Sequence, residues 1–298
     1  MKGSLSRAVS RLSQYAPQGF PAVVLAAGKG TRMKASRPKA AVHLNGKPMA
    51  ARVVSAMRAA GASRVLAVVG HRAEDVRAAI GDTAEYVVQE EQRGTGHAVR
   101  CAAEALSGYV GPLVVGYADI PLLTRSDLVT LVLHHVQTGA DATLLTARFE
   151  EPGTLGRIVR SANGQVEAIV EARDASEEQL GIREINVGVY CFRAPLVFQM
   201  LALLTDDNAQ GQYYLTDVIG LLVKGGGRVE AIPAATSDFC LGVDTAADLA
   251  LAEQVLAATL RERGKKRSGT QNVLDWDLYV ESGALMSESD PAPASDGH

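Results

Sequence analysis

Ala22-Val23-Val24-Leu25-Ala26-Ala27-Gly28-Lys29-Gly30-Thr31-Arg32-Met33 decides the fold. Six apolar residues run without interruption and stop at a glycine. A strand with one face in water alternates apolar and polar side chains, whereas a strand covered on both faces does not. The run therefore predicts a central strand of a largely parallel sheet, with a glycine-rich basic loop at its C-terminal end. Val53, Val54, Met57 and Ala60 share one helical face over about 49–60. Strand-like stretches follow at 64–69, 86–88 and 112–115, with helical ones at 73–80 and 95–106. This alternation predicts a three-layer αβα sandwich, Rossmann-like, around a mostly parallel mixed sheet. Ligands of such sheets gather at the C-terminal strand ends. Three stretches fall there: 28–32, 89–95 and 117–121.

After residue 140 the pattern changes. Stretches 142–148, 157–160, 166–170 and 184–192 are strand-like, and Asn163-Gly164 marks a hairpin between two of them. Helices are expected at about 194–204, 214–223 and 245–263. This half extends the sheet and covers one side of the cleft. The chain divides into an N-terminal arm (1–20), one α/β domain (21–263) and a polar tail (264–298). The tail's composition predicts disorder, apart from 273–280 around Trp276, a candidate docking segment.

Composition narrows the function classes. A net charge of −3 provides no footprint for nucleic acid or an anionic membrane, so any phosphate must be held by a local basic cluster. Cys101, Cys191 and Cys240 are scattered, which argues against a disulfide framework or a cysteine zinc site. With no membrane-length apolar run and no signal-peptide pattern, a cytoplasmic setting is expected.

The chemistry concentrates in the three strand-end stretches. Gly28 and Gly30 let backbone N–H groups turn toward an anion, while Arg32 and Lys39 add full positive charges. The spacing is neither that of a dinucleotide fingerprint nor that of a P-loop, and a tight strand-to-loop turn that happens to be basic is the plainer alternative. Gln89, Gly94 and Thr95 offer an amide and a bare turn against which a base could lie; a polar loop capped by Thr95 is the plainer reading. Asp119 follows a buried strand and suits Mg²⁺ shared with phosphate oxygens, or else a turn or helix cap. Asp244 is the best second carboxylate, though with Thr245 and Asp248 beside it capping of the last helix competes.

Taken together the motifs resemble the sugar-phosphate nucleotidyltransferases. The nearest likeness is to the uridylyltransferase domain of the bacterial bifunctional N-acetylglucosamine-1-phosphate uridylyltransferase and glucosamine-1-phosphate acetyltransferase. The likeness spans about 22–256. It is carried by Leu25–Met33 with Pro38-Lys39, by Gln89 with Gly94–Ala98, and by Tyr117, Asp119 and Pro121. Further along it continues through Gly156–Ile158, Ile169–Ala175, Glu184–Gly188 and Asn208–Asp217. The resemblance implies a nucleotide-diphospho-sugar transferase fold and the joining of UTP to N-acetylglucosamine 1-phosphate, with release of pyrophosphate. It implies nucleotide contacts at Ala26, Ala27, Gly28 and Gly30, and triphosphate contacts at Arg32 and Lys39. Uracil would meet Gln89, Gly94 and Thr95; the sugar would meet Tyr117, Gly156, Glu171 and Asn186. Mg²⁺ would sit on Asp119 and Asp244, with Arg32, Lys39 and Asp119 as the catalytic set.

Three positions depart from the family pattern: Asp244 stands for asparagine, Ala118 for glycine and Gln212 for glutamate. The stretch after Leu260 is too short for the family's acetyl-transferring β-helix, so acetyl transfer is not expected. His43, His71 and His97 fall near the cleft without a catalytic spacing and are assigned no catalysis. The expected ligands are UTP and a sugar 1-phosphate, with no nucleic acid or membrane partner. The rival readings are a sister transferase using glucose 1-phosphate or another base, and a non-catalytic sugar-nucleotide sensor.

Overall fold

The computed structural model describes residues 8, 11–12, 14–30, 33, 37–234 and 242–267. In chain order, β1 (Phe20–Leu25) leads to a small ribbon, β2 (His43–Leu44) and β3 (Lys47–Pro48). Then come α1 (Met49–Ala59), β4 (Ala62–Val69), α2 (Ala73–Ile80), β5 (Glu85–Val88), α3 (Thr95–Cys101), β6 (Pro112–Tyr117) and α4 (Arg125–Thr138). The second half holds β7 (Ala142–Arg148), β8 (Arg157–Arg160), β9 (Val166–Val170), α5 (Glu177–Leu180), β10 (Glu184–Arg193), α6 (Ala194–Ala202) and α7 (Asp217–Lys224). It closes with β11 (Val229–Pro233) and α8 (Ala246–Arg267).

β1 is buried along its whole length, between β4 and β6, and parallel to both. Its side chains alternate between two apolar layers. Ala22 and Val24 face α1, α2 and α4; Val23 and Leu25 face α3, α6 and α7. That two-sided burial explains the uninterrupted apolar run. The main sheet is ordered β11-β7-β10-β6-β1-β4-β5. Along this path only β10 is reversed, running antiparallel to β6 and β7. β8 and β9 form the hairpin signalled by Asn163-Gly164, with Gly164 at φ +83°, and β8 also pairs with β10. The sandwich with a mixed, mostly parallel sheet is as the alternation predicts.

Several boundaries differ from the sequence reading. The helix expected over 95–106 breaks after Cys101, and a separate tight turn covers Glu104–Leu106. The helix expected from 214 begins at Asp217, because Leu215 and Thr216 are held by bonds to other elements described below. The short β11 and the β2–β3 ribbon carry no alternation long enough to be read. Segment 273–280 and Cys240 lie outside the described residues. Among the described residues no helix is long and apolar enough to cross a membrane.

The chain moves outward from β1 to β4 and β5, then returns to β6 on the other side of β1. The strand order therefore reverses between β1 and β6, and loops diverging there leave a crevice at the C-terminal ends.

Candidate active site

That crevice is a cleft of about 300 Å³, with Ala26, Gly28, Gly30, Lys39, Asp119 and Asp244 in its walls and Thr95 and Tyr117 beside them. Lys39 opens a tight turn, Lys39–Ala41, set up by Pro38 at φ −53°. Its ammonium donates to Asp119 Oδ2 at 2.6 Å and also to Asp244 Oδ1. The Lys39 side chain is only 11% exposed, and each carboxylate is about one-third exposed. Burial alone would pull the Lys39 pKa down; the charges and hydrogen bonds of Asp119 and Asp244 outweigh it and hold the ammonium above its usual value. Gly30 makes room for this lysine. It sits at φ +60°, and a Cβ there would stand 2.5 Å from Lys39 Cβ.

Backbone bonds bring the two aspartates together. Ala118 N–H donates to the Leu25 carbonyl at 3.0 Å, continuing the β1–β6 pairing past the strand ends. The Asp119 carbonyl accepts from Val243 N–H at 2.9 Å, which ties it to the residue before Asp244. The last helix has a separate cap. Asp248 accepts from the N–H groups of Asp244 and Thr245 at 3.0 and 2.7 Å, and Asp248 N–H donates to Thr245 Oγ1 at 3.2 Å. Capping thus falls to Thr245 and Asp248, leaving the Asp244 carboxylate on Lys39. Nor is Asp119 a helix cap, since α4 is capped by Thr124 with Asp127.

Two hard oxygen donors already converging on one cationic nitrogen fit a Mg²⁺ ion, which takes one or two carboxylates and completes its shell with phosphate and water. Among the described residues no group of three or more His, Cys, Asp or Glu is placed to hold a metal. Arg32 lies outside the described residues. Ala27 is buried in the α3 layer and is not among the cleft-lining residues.

On one flank, Gln89 is buried at the end of β5 and donates from Nε2 to the Gly94 carbonyl at 3.0 Å and to His97 Nδ1 at 2.9 Å. Gly94, at φ +110°, leaves no room for a Cβ, which would lie 2.5 Å from the Tyr213 carbonyl. Gly94 rather than Thr95 is the N-cap of α3, with no side-chain cap; Thr95 Oγ1 instead accepts from Leu215 N–H at 3.0 Å. The segment 208–216 is thereby clamped onto the glycine turn.

On the other flank, β8, β9 and β10 converge. A Cβ on Gly156 would stand 3.6 Å from Glu171 Oε2 and 3.7 Å from Asn186 Cβ, so the absent side chain opens a space between them. Glu171 accepts from Thr216 Oγ1 at 3.0 Å, and Asn186 Nδ2 donates to the Tyr190 hydroxyl at 2.6 Å. Burial, with the Glu171 carboxylate adding to it, pushes the Tyr117 hydroxyl well above its usual range, and the Thr95 and Tyr190 side chains stand near it, linking this flank to the glycine turn. Burial raises the Glu171 pKa against the opposing bond from Thr216, with Asp217 and Asp174 adding to the rise.

The fold therefore brings Lys39, Asp119 and Asp244 to one point, sets Tyr117 in the wall beside them, and gathers Gly156, Glu171 and Asn186 around a second space. Sequence reasoning did not single out Gly188 or Thr216, and it set His97 near the cleft without a role, although each sits in a motif it quoted. Gly188, at φ +85°, lets the backbone lie against the Tyr117 ring, where a Cβ would come within 2.6 Å.

Comparison with known proteins agrees with this architecture. A crystal structure of UDP-glucose pyrophosphorylase complexed with UDP-glucose superposes with a TM-score of 0.64 at 19% identity, covering 80% of this chain and 99% of that one. Likeness at that identity speaks for the fold. The bifunctional protein GlmU of Geobacillus thermodenitrificans (strain NG80-2) is 45% identical over 235 residues, 79% of this chain and 51% of that protein. The corresponding protein of Pelobacter propionicus (strain DSM 2379 / NBRC 103807 / OttBd1) is 41% identical over 272 residues, 90% of this chain and 59% of that protein. The chain spans little more than half the length of these relatives. A family model described as the MobA-like NTP transferase domain matches residues 22–213, and the chain belongs to that family.

Proposed function

We propose that the cleft transfers a uridylyl group from UTP to N-acetylglucosamine 1-phosphate, releasing pyrophosphate. The observation that carries this reading is the convergence of Lys39, Asp119 and Asp244 beside the Gly28–Gly30 turn, at the switch point of the sheet. The 45% identity to a GlmU protein supports the choice of substrates.

In this reading a sugar-phosphate oxygen attacks the α-phosphorus in line with the departing pyrophosphate. The attacking phosphate is already ionised at neutral pH, so no general base is needed. Catalysis rests on positioning and charge neutralisation. Asp119 and Asp244 hold Mg²⁺, which when bound supplies positive charge to the phosphate oxygens. An ammonium has three N–H donors; Lys39 spends two on the aspartates and offers the third to a phosphate oxygen. Arg32, close in sequence, adds a bidentate fork to the leaving pyrophosphate. Gln89, Gly94 and Thr95 meet the base, with Ala26, Gly28 and Gly30 along the nucleotide. Tyr117, Gly156, Glu171 and Asn186 line the sugar pocket.

The test is pyrophosphate release from UTP, dTTP and CTP with N-acetylglucosamine 1-phosphate or glucose 1-phosphate, with and without Mg²⁺. Activity confined to UTP with N-acetylglucosamine 1-phosphate is the expected result. Another preferred pair would move the chain to a sister specificity, and binding without turnover would make it a sensor. Asp119→Ala should slow turnover by about 10²-fold or more, the scale for losing one preorganised electrostatic group. Near-normal turnover in that variant would remove Asp119 from the mechanism.

A further inference from the structure

The Gln89 amide is held in one orientation. A carbonyl oxygen can only accept, so the end of the amide facing the Gly94 carbonyl at 3.0 Å must be the NH₂. The second hydrogen of that NH₂ points to His97 Nδ1 at 2.9 Å, which requires Nδ1 to carry a lone pair and the ring proton to sit on Nε2. Both hydrogens are then spent, and Gln89 Oε1 accepts no hydrogen bond from the described residues. If Nδ1 were protonated it would face the NH₂ donor to donor, and the amide would lose this orientation.

The groups around His97 favour the unprotonated form. Arg100 comes from its own helix, Arg93 and Glu91 from the preceding loop, and the Tyr213 ring from segment 208–216 at 6.5 Å between centroids. Burial and the two arginines lower the histidine pKa, against an opposing contribution from Glu91. The arginines are themselves fixed, each guanidinium lying over the Tyr213 ring at 4.9 and 5.2 Å.

We infer that His97 is a base-selectivity residue acting through Gln89. By accepting from the amide NH₂ it presents Oε1 as the group that meets the pyrimidine edge. Resting on the uridylyltransferase reading, this assigns the discrimination to a donor–acceptor match. Uracil and thymine carry a hydrogen on N3 and donate to Oε1. Cytosine carries a lone pair on N3 and meets Oε1 acceptor to acceptor. A site built to hydrogen-bond one edge rejects the edge lacking the donor, because its own buried group is left unpaired. His97 touches neither base nor phosphate in this scheme, so it is a positioning residue.

The experiment measures binding of UTP, dTTP and CTP to the full chain by calorimetry, alongside kcat and KM for pyrophosphate release. The wild type should bind UTP and dTTP more tightly than CTP. His97→Leu, which removes the acceptor, should reduce the UTP:CTP affinity ratio by about tenfold, the scale of one hydrogen bond. The loss should appear in Kd and KM more than in kcat. His97→Asn, whose Oδ1 can stand where Nδ1 stood, should recover most of the ratio. Equal binding of UTP and CTP by the wild type overturns the inference, as does an unchanged ratio in His97→Leu or an equal fall in both variants. A ¹H–¹⁵N spectrum of the histidine rings of the unaltered protein gives an independent reading. It should show His97 with its proton on Nε2, and a proton on Nδ1 overturns the inference without any variant. A wild type that binds UTP selectively but releases no pyrophosphate would strike the transfer reading and leave this one standing.

Discussion

Asp244 carries two possible duties in the sequence, and its neighbours decide between them. A carboxylate just ahead of a helix can cap it or serve a cleft, and spacing alone does not separate the two. The structure shows Thr245 and Asp248 closing the cap between themselves, so the Asp244 carboxylate remains on Lys39. Gly30 shows the same economy from the opposite side, since an absent atom sets where the lysine stem runs. Gly30→Ala places a Cβ 2.5 Å from Lys39 Cβ on a backbone at φ +60°. Because misplacing a positioned group by about 1 Å can cost about 10²-fold, kcat should fall by one to two orders of magnitude. Stability should fall by only about 1–2 kcal/mol from the left-handed backbone. Turnover and urea denaturation measured together check this; an unchanged kcat would mean that the approach of Gly30 to Lys39 is not what sets the lysine. Lys39, Asp119 and Gln89 were legible because they sit in or just after strand-end stretches that read as loops. Gly188, Thr216 and the role of His97 were not, since their partners are Tyr117, Glu171 and Gln89, reached only through the fold or through an amide orientation.

Elements that carry their own periodicity could be read in both halves, whereas the β2–β3 ribbon and β11 depend on pairing. β11 is five half-buried or exposed residues ending in a proline, and only its parallel register on β7 makes it a strand. The late start of α7 has a similar cause, because Leu215 and Thr216 are held by Thr95 and Glu171. One element contains a testable titration. α4 buries His135, which is 5% exposed with Nδ1 3.1 Å from Thr143 Oγ1 on β7. Burial, with Arg193 and His134 adding to it against Asp141, lowers its pKa from 6.5 to about 4. Between those values the unfolded chain binds a proton that the folded one does not. Stability is therefore full above pH 6.5 and declines as the pH falls toward about 4, by about 3 kcal/mol in total for this group. Urea unfolding at a series of pH values should show the decline, and His135→Gln should flatten it by that amount. Parallel curves for the two proteins would mean that the imidazole is not forced neutral by its surroundings.

At the scale of the molecule, the nucleotide side and the sugar side of the cleft are one sheet. The reversed strand β10 bonds to β6 of the first half and β7 of the second, and it also carries Asn186. The apolar layer facing α3, α6 and α7 draws on both halves: Leu66 of β4 and Leu144 of β7 are each 0% exposed within it. Two halves that share a sheet and a core have no interface along which to unfold separately, so a single cooperative transition is expected. Leu66→Ala and Leu144→Ala should each remove about 2–5 kcal/mol through lost burial and a residual cavity. Both should lower that same transition, by about 2–4 °C per kcal/mol for a domain of this size. Scanning calorimetry of the two variants beside the wild type decides the matter. Two transitions, with each variant moving only one, would mean that the halves fold as independent units and that the cleft lies between them. One transition moved by both variants would mean that Asp119 and Asn186 are held in register by the same cooperative unit, so damage to either half's core loosens both flanks of the site.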